Sequence, residues 1–371
     1  MAETVSPFRI DVPQADVDDL RERLARTRWP AAPDLDGNRG IPQRRVQELA
    51  RHWATEWDWR TQEAQLNRWP QVTTTVDGTR LHALHVRSAE PTAVPLVLLH
   101  GWPGSVVEFL QVIGPLTDPA AHGGDPADAV HLVVPSLPGF GFSGPTPDGG
   151  WMPQRMSRAV AELMRRLGYD RYVAHGGDWG SRVATGLGVV DREHVLGVHV
   201  TMLRDVAASE PADDEERAAA EKFQHYADEL SGYNDLQATR PLSLAPALND
   251  SPAGLLAWIA ERFDEWTDPA SEIDVDQLLT DVAVYWFTGT AGSSAQLYWE
   301  RRHGPAEHWA RDVPTGVVVL PHDLFRPVRR LVGERVDLVS WTEFERGGHF
   351  PAMEVPDLLV AELRRFVRRV S

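Results

Sequence analysis

Cysteine is absent from the 371-residue chain. Disulfides and thiolate metal sites are therefore excluded, and a cytoplasmic setting is expected. Long apolar runs are also missing. No stretch has the length a membrane span needs, and the N-terminus lacks the apolar core of a secretory signal peptide. Lysine is nearly absent, with Lys222 the single one among 37 basic residues. Such an arginine bias points to a GC-rich, bacterial genome. Positive charge is scarce as well, and the formal net charge is −17. Between Arg204 and Asp276 stand 18 acidic and 5 basic residues. An acidic surface disfavours nucleic acid, whose binding rests on cationic contacts to phosphate, and it disfavours a polyanionic substrate. Most of this cluster reads as a solvated helix face.

What is present is most informative at His175-Gly176-Gly177-Asp178-Trp179-Gly180. A short apolar strand, Tyr172-Val173-Ala174, precedes it, and a helical stretch from Ser181 to Leu187 follows. Glycines two before and two after the central residue let the chain turn sharply from strand to helix. That turn is the nucleophile elbow of α/β-hydrolases, with Asp178 where serine usually stands. A carboxylate there attacks carbon and forms an ester, so it reads as an alkylated nucleophile. Taken alone, the motif reads equally well as an aspartate capping a helix.

Three further segments bear on that choice. Val94 to Leu99 is an aliphatic run expected of a strand buried on both faces. It leads into His100-Gly101-Trp102-Pro103-Gly104-Ser105. In α/β-hydrolases the loop after this strand gives one backbone N–H to the oxyanion hole, and the residue after the nucleophile gives the other. The donors are then Trp102 and Trp179. Gly316 to Leu320 is another aliphatic run, and Asp323 follows as the candidate acid. Gly347-Gly348-His349-Phe350-Pro351 follows a strand-like run from Val336 to Trp341, which makes His349 the candidate base. A lone histidine is usually structural, and there are 14; position singles this one out. The order Asp178, Asp323, His349 is the nucleophile–acid–histidine order of the fold. Glu343 and Glu345 are rival acids without a strand end of their own.

At this point the chain resembles the epoxide hydrolases of the microsomal type, within the α/β-hydrolase superfamily. The likeness runs through Pro7 to Pro13, Leu20 to Leu24, Thr27 to Pro30, Trp57 to Arg60 and Leu66 to Pro70. It continues in Ser231-Gly232-Tyr233, Ala247 to Pro252, Tyr285 to Thr290 and Gln296-Leu297-Tyr298. The resemblance implies an epoxide opened to a vicinal diol through a covalent ester on Asp178. Asp323 and His349 would then activate water, and Tyr233 and Tyr298 would hold the epoxide oxygen. Without it, a cap tyrosine reads as packing, and Tyr226 and Tyr285 remain open choices. It implies no cofactor and no metal. The expected partners are a small-molecule epoxide and water, with no nucleic acid and no membrane; homo-oligomerisation is left open. The family's membrane-anchored members carry an N-terminal anchor, which is not seen here. Detoxification and antibiotic biosynthesis are both compatible with such a chain. Two other readings stay open on sequence grounds: a haloalkane dehalogenase, which also uses Asp at the elbow, and a non-catalytic binding protein on the same fold.

The expected fold class is α/β, an α/β-hydrolase core with a mostly parallel sheet, a helical cap insertion and an N-terminal meander. Residues 1–92 form the N-terminal extension and first strands, 93–205 the first part of the core, 206–304 the cap and 305–371 the second part of the core. Asp16 to Arg28 carries Val17, Leu20 and Leu24 on one helical face, with Pro30 beyond its end. Residues 31–71 are expected to meander. Asp77-Gly78 marks a hairpin turn, Gly144 to Pro153 a loop, and Val355 to Val370 a final helix.

Overall fold

The computed structural model describes residues 4–31, 39–203, 211–306 and 309–371. The first part of the meander, from Ala32 to Asn38, and the expected start of the cap at Val206 lie outside them.

Nine strands form one sheet: β1 (Ser6–Phe8), β2 (Gln71–Val76), β3 (Thr79–Val86), β4 (Val94–Leu99), β5 (Val130–Pro135), β6 (Tyr172–Gly176), β7 (Val195–Val200), β8 (Pro314–Val319) and β9 (Asp337–Glu343). The spatial order is β1-β2-β3-β5-β4-β6-β7-β8-β9. From β5 to β9 all neighbours are parallel, and β1 to β3 add an antiparallel edge. The β2–β3 hairpin turns at Asp77 and Gly78, with φ of 51° and 76°. Both residues thus take the left-handed conformation that a two-residue hairpin of matching twist needs.

β4 shows why the central strands read as unbroken aliphatic runs. Side chains alternate across a strand. Leu96 and Leu98 enter one hydrophobic core, with Val112, Ile113, Leu359 and Phe366. Val97 and Leu99 enter the other, with Val160, Leu163, Val183 and Leu187. Helices thus cover both faces, and the carboxyl ends of β4, β6 and β8 open at one edge, where α/β sheets place their ligand sites.

Between β7 and β8 the described chain is helical, from Asp214 to His303. The N-terminal segment clasps these helices. Val17, Leu20 and Leu24 are buried on the helix Gln14–Ala25. Residues 43–66 depart from the expected meander and form two helices, Gln43–Thr55 and Trp59–Leu66. The signal was in the sequence: Val46, Leu49, Ala50 and Trp53 fall three or four apart and are all buried. The richness in Arg, Trp and Pro obscured it. Trp57 Nε1 donates to Thr280 Oγ1 at 3.3 Å, and the Trp59 ring lies 4.7 Å from that of Phe287.

Among the described residues, no helix is long and apolar enough to cross a membrane.

Candidate active site

β6 ends at Gly176, and the helix Asp178–Val190 starts two residues on. The turn between them leaves no room for side chains. A Cβ on Gly176 would lie 2.2 Å from the Gly180 carbonyl carbon, and one on Gly180 would lie 1.9 Å from the Leu99 carbonyl oxygen. Asp178 sits at φ 46°, a region that Asp visits more readily than most residues because its short polar side chain can bond locally.

Asp178 is buried and held by the chain's own amides. The Trp102 N–H donates to its Oδ1 at 2.9 Å, and the Trp179 N–H donates to the same carboxyl. Burial pushes the Asp178 pKa up, and the nearby His349 and the two N–H donors hold it back.

His349 lies on the loop after β9. Its own N–H donates to the Trp266 carbonyl at 2.9 Å, and the Gly348 N–H donates to Glu354 Oε2 at 2.8 Å. These bonds fix the loop and aim the ring. Nδ1 stands 2.7 Å from Asp323 Oδ1, and Nε2 stands 3.7 Å from Asp178 Oδ2. Asp323 Oδ1 also accepts the Leu324 N–H at 2.7 Å, so this residue caps its own turn as well as holding the ring. Burial disfavours charge on His349. The charge and hydrogen bond of Asp323, helped by Asp178, outweigh burial and push its pKa up to about 9. Of the rival acids, Glu343 pairs with Arg326 at 3.0 Å on the surface.

The structure separates the four tyrosines. A cleft of about 480 Å³ opens over Asp178, and Tyr226, Tyr233 and Tyr298 line it, with Trp179 and Phe325. The Tyr233 ring stacks on that of Trp102 at 5.1 Å and 7°. Tyr298 meets Trp179 edge-on at 4.8 Å. The Tyr226 hydroxyl lies 3.2 Å from that of Tyr233. Tyr285 is committed elsewhere, donating to the Gly104 carbonyl at 2.7 Å. Burial pushes the Tyr233 and Tyr298 pKa values well up, which favours the neutral O–H form of both in the resting site.

Two acids beside the site escaped the sequence reading. Ser105-x-x-Glu108 has the form of a helix capping box, which conceals any other use of Glu108. Asp281 sits mid-helix in a run of apolar residues and carries no local motif. It is fully buried, accepts from Ser105 Oγ at 2.5 Å, and its Oδ2 has no protein partner.

Burial pushes the Asp281 pKa up to about 8, against the Ser105 bond. An unfolded aspartate titrates near about 4. Its contribution to stability is therefore fully present below about pH 4 and is lost as pH rises through about 8. Asp281→Asn is isosteric with the neutral acid. The variant is expected to melt several degrees above the wild type at pH 9, with a much smaller gap at pH 5. Thermal melts at the two pH values decide; a gap independent of pH would show that Asp281 is not the titrating group.

A strand–elbow–helix turn on a mostly parallel sheet, with an acid after β8 and a histidine after β9, defines an α/β-hydrolase. Residues 94–276 match the family described as alpha/beta hydrolase fold, and residues 5–109 match the one described as epoxide hydrolase N terminus. The chain is 44% identical, over 99% of its length and 85% of the other's, to a protein of Stigmatella aurantiaca (strain DW4/3-1) named as a candidate epoxide hydrolase. It is 31% identical to Epoxide hydrolase 1 of Sus scrofa, over 98% of this chain and 89% of that one. The solved epoxide hydrolase of Aspergillus niger superposes with a TM-score of 0.89 at 31% identity, covering 100% of this chain and 97% of the other. The juvenile hormone epoxide hydrolase of Bombyx mori gives a TM-score of 0.90 at 29% identity, covering 99% and 95%. The chain belongs to the epoxide hydrolase family and is a hydrolase.

Proposed function

We propose that the chain opens an epoxide to a vicinal diol through an ester on Asp178. One observation carries this reading: among the described residues a single carboxylate, Asp178, lines the cleft with the tyrosines, and it faces a histidine 3.7 Å away that is backed by a second carboxylate.

The steps follow from what each bond change needs. An epoxide is strained, but its leaving group is a poor alkoxide. Tyr233 and Tyr298 donate to the ring oxygen, and one of them gives up its proton as the ring opens. An Asp178 oxygen attacks the ring carbon from the opposite side, the ring C–O bond breaks, and a hydroxyalkyl ester results. The ester no longer carries the charge that helped keep His349 protonated. His349 loses its proton to the tyrosinate and becomes a base. It then takes a proton from water, and the hydroxide adds to the ester carbonyl of Asp178. The Trp102 and Trp179 N–H groups receive the oxyanion, a contribution of roughly 3–4 kcal/mol per donor in other hydrolases. Collapse expels the diol, which takes the proton from His349. Atoms balance as epoxide plus water to diol, and no step calls for a metal or organic cofactor.

A single turnover of styrene oxide in heavy-oxygen water tests the route. Unlabelled diol is expected, because the added oxygen comes from Asp178 in the first cycle. Labelled diol would mean direct attack by water.

A further inference from the structure

A second cavity meets the cleft at one shared lining residue, Asp178. It measures about 10 Å³, close to the space one water molecule occupies. Its polar walls are Asp178, His349, Glu108, His175 and Thr201. Ester hydrolysis needs a water beside the Asp178 carbonyl carbon with one O–H pointing at His349. A water held by that bond alone can still rotate about it. A second acceptor would aim the oxygen lone pair at the carbon.

Glu108 is the wall residue suited to this. His175 Nδ1 is engaged with His199 Nδ1 at 2.9 Å. Gly104 makes room for the Glu108 carboxyl; a Cβ there would fall 1.4 Å from Glu108 Oε1. The carboxyl accepts the Gly101 N–H, which anchors it. Burial, with Asp281 close by, pushes its pKa well up. A carboxyl group has lone pairs to spare beyond one N–H, and its carbonyl oxygen still accepts when the group is protonated.

We propose that this cavity seats the hydrolytic water and that Glu108 orients it by accepting the O–H not directed at His349. The proposal rests on the reading of Asp178 as the esterified residue. The water's other proton goes to His349, and Glu108 gains and loses none.

The test separates the two half-reactions. Rapid mixing with styrene oxide, quenching and intact-mass analysis follow ester formation and decay in the wild type, Glu108→Leu, Glu108→Gln and, as a control, His349→Gln. Glu108→Leu fills the space without an acceptor. It is expected to form ester at the wild-type rate and to hydrolyse it roughly 10–100-fold more slowly, as misplacement of a reacting group costs. Glu108→Gln keeps a carbonyl oxygen and is expected to hydrolyse within a few-fold of the wild type. Three results would overturn the proposal: unchanged hydrolysis in Glu108→Leu, an equal slowing of both steps, or a Glu108→Gln as slow as Glu108→Leu. An adduct that builds up in His349→Gln but not in Glu108→Leu would remove Glu108 and leave the ester. No adduct in either would remove both.

Discussion

Asp178→Ala is expected to abolish diol formation while leaving the chain folded. Among the described residues Asp178 is the one carboxylate that lines the cleft, so none of the others lining it can form the ester. Removing the nucleophile of a comparable hydrolase costs about a million-fold in turnover. The site's remaining groups can polarise the epoxide but cannot take the place of the missing carboxylate. The fold should survive. Alanine at φ 46° costs about 1–2 kcal/mol in the left-handed region, and loss of a buried carboxylate offsets part of that. Initial rates of diol formation, with circular dichroism and a thermal melt on the same sample, make the check. Appreciable activity in protein free of wild type would sink the assignment of Asp178.

His349→Gln is expected to arrest the reaction halfway. In the proposed route ring opening uses Asp178 and the tyrosines, so the ester should still form while its hydrolysis lacks a base. Intact mass should rise by the mass of one epoxide per chain, and peptide mapping should place it on Asp178. Continued turnover with no adduct would exclude His349 as the base. The variant also has a pH signature. The folded chain holds the His349 pKa up to about 9, above the unfolded value of about 6.5. Its contribution to stability is therefore fully present below about pH 6.5 and is lost as pH rises through about 9. The stability gap between wild type and His349→Gln should narrow across that window.

Much of the site could be read without coordinates because the elbow is a local object. Gly176, Asp178 and Gly180 are spaced by the turn itself, and the close approaches at both glycines explain why neither tolerates a side chain. Asp323 and His349 could be placed because one follows an aliphatic run and the other a strand-like run, and both runs became strands. The tyrosines were different. Tyr226, Tyr233, Tyr285 and Tyr298 all lie on helical segments, and nothing local separates a hydroxyl over Asp178 from one committed to the Gly104 carbonyl. Glu108 and Asp281 were hidden for a related reason. A carboxyl leaves no periodic trace when its partners come from other elements.

The sequence by itself determined the β2–β3 hairpin, the strands of the parallel part of the sheet, the elbow and the order of the acid and the histidine. Each depends on the side-chain alternation or the backbone freedom of a few consecutive residues. Tertiary structure alone decided which tyrosines meet Asp178, how the N-terminal helices clasp the helices between β7 and β8, and that Glu108 and His349 share a water-sized space. Those outcomes depend on distances between segments far apart in the chain, and such distances are set by the packing of the whole.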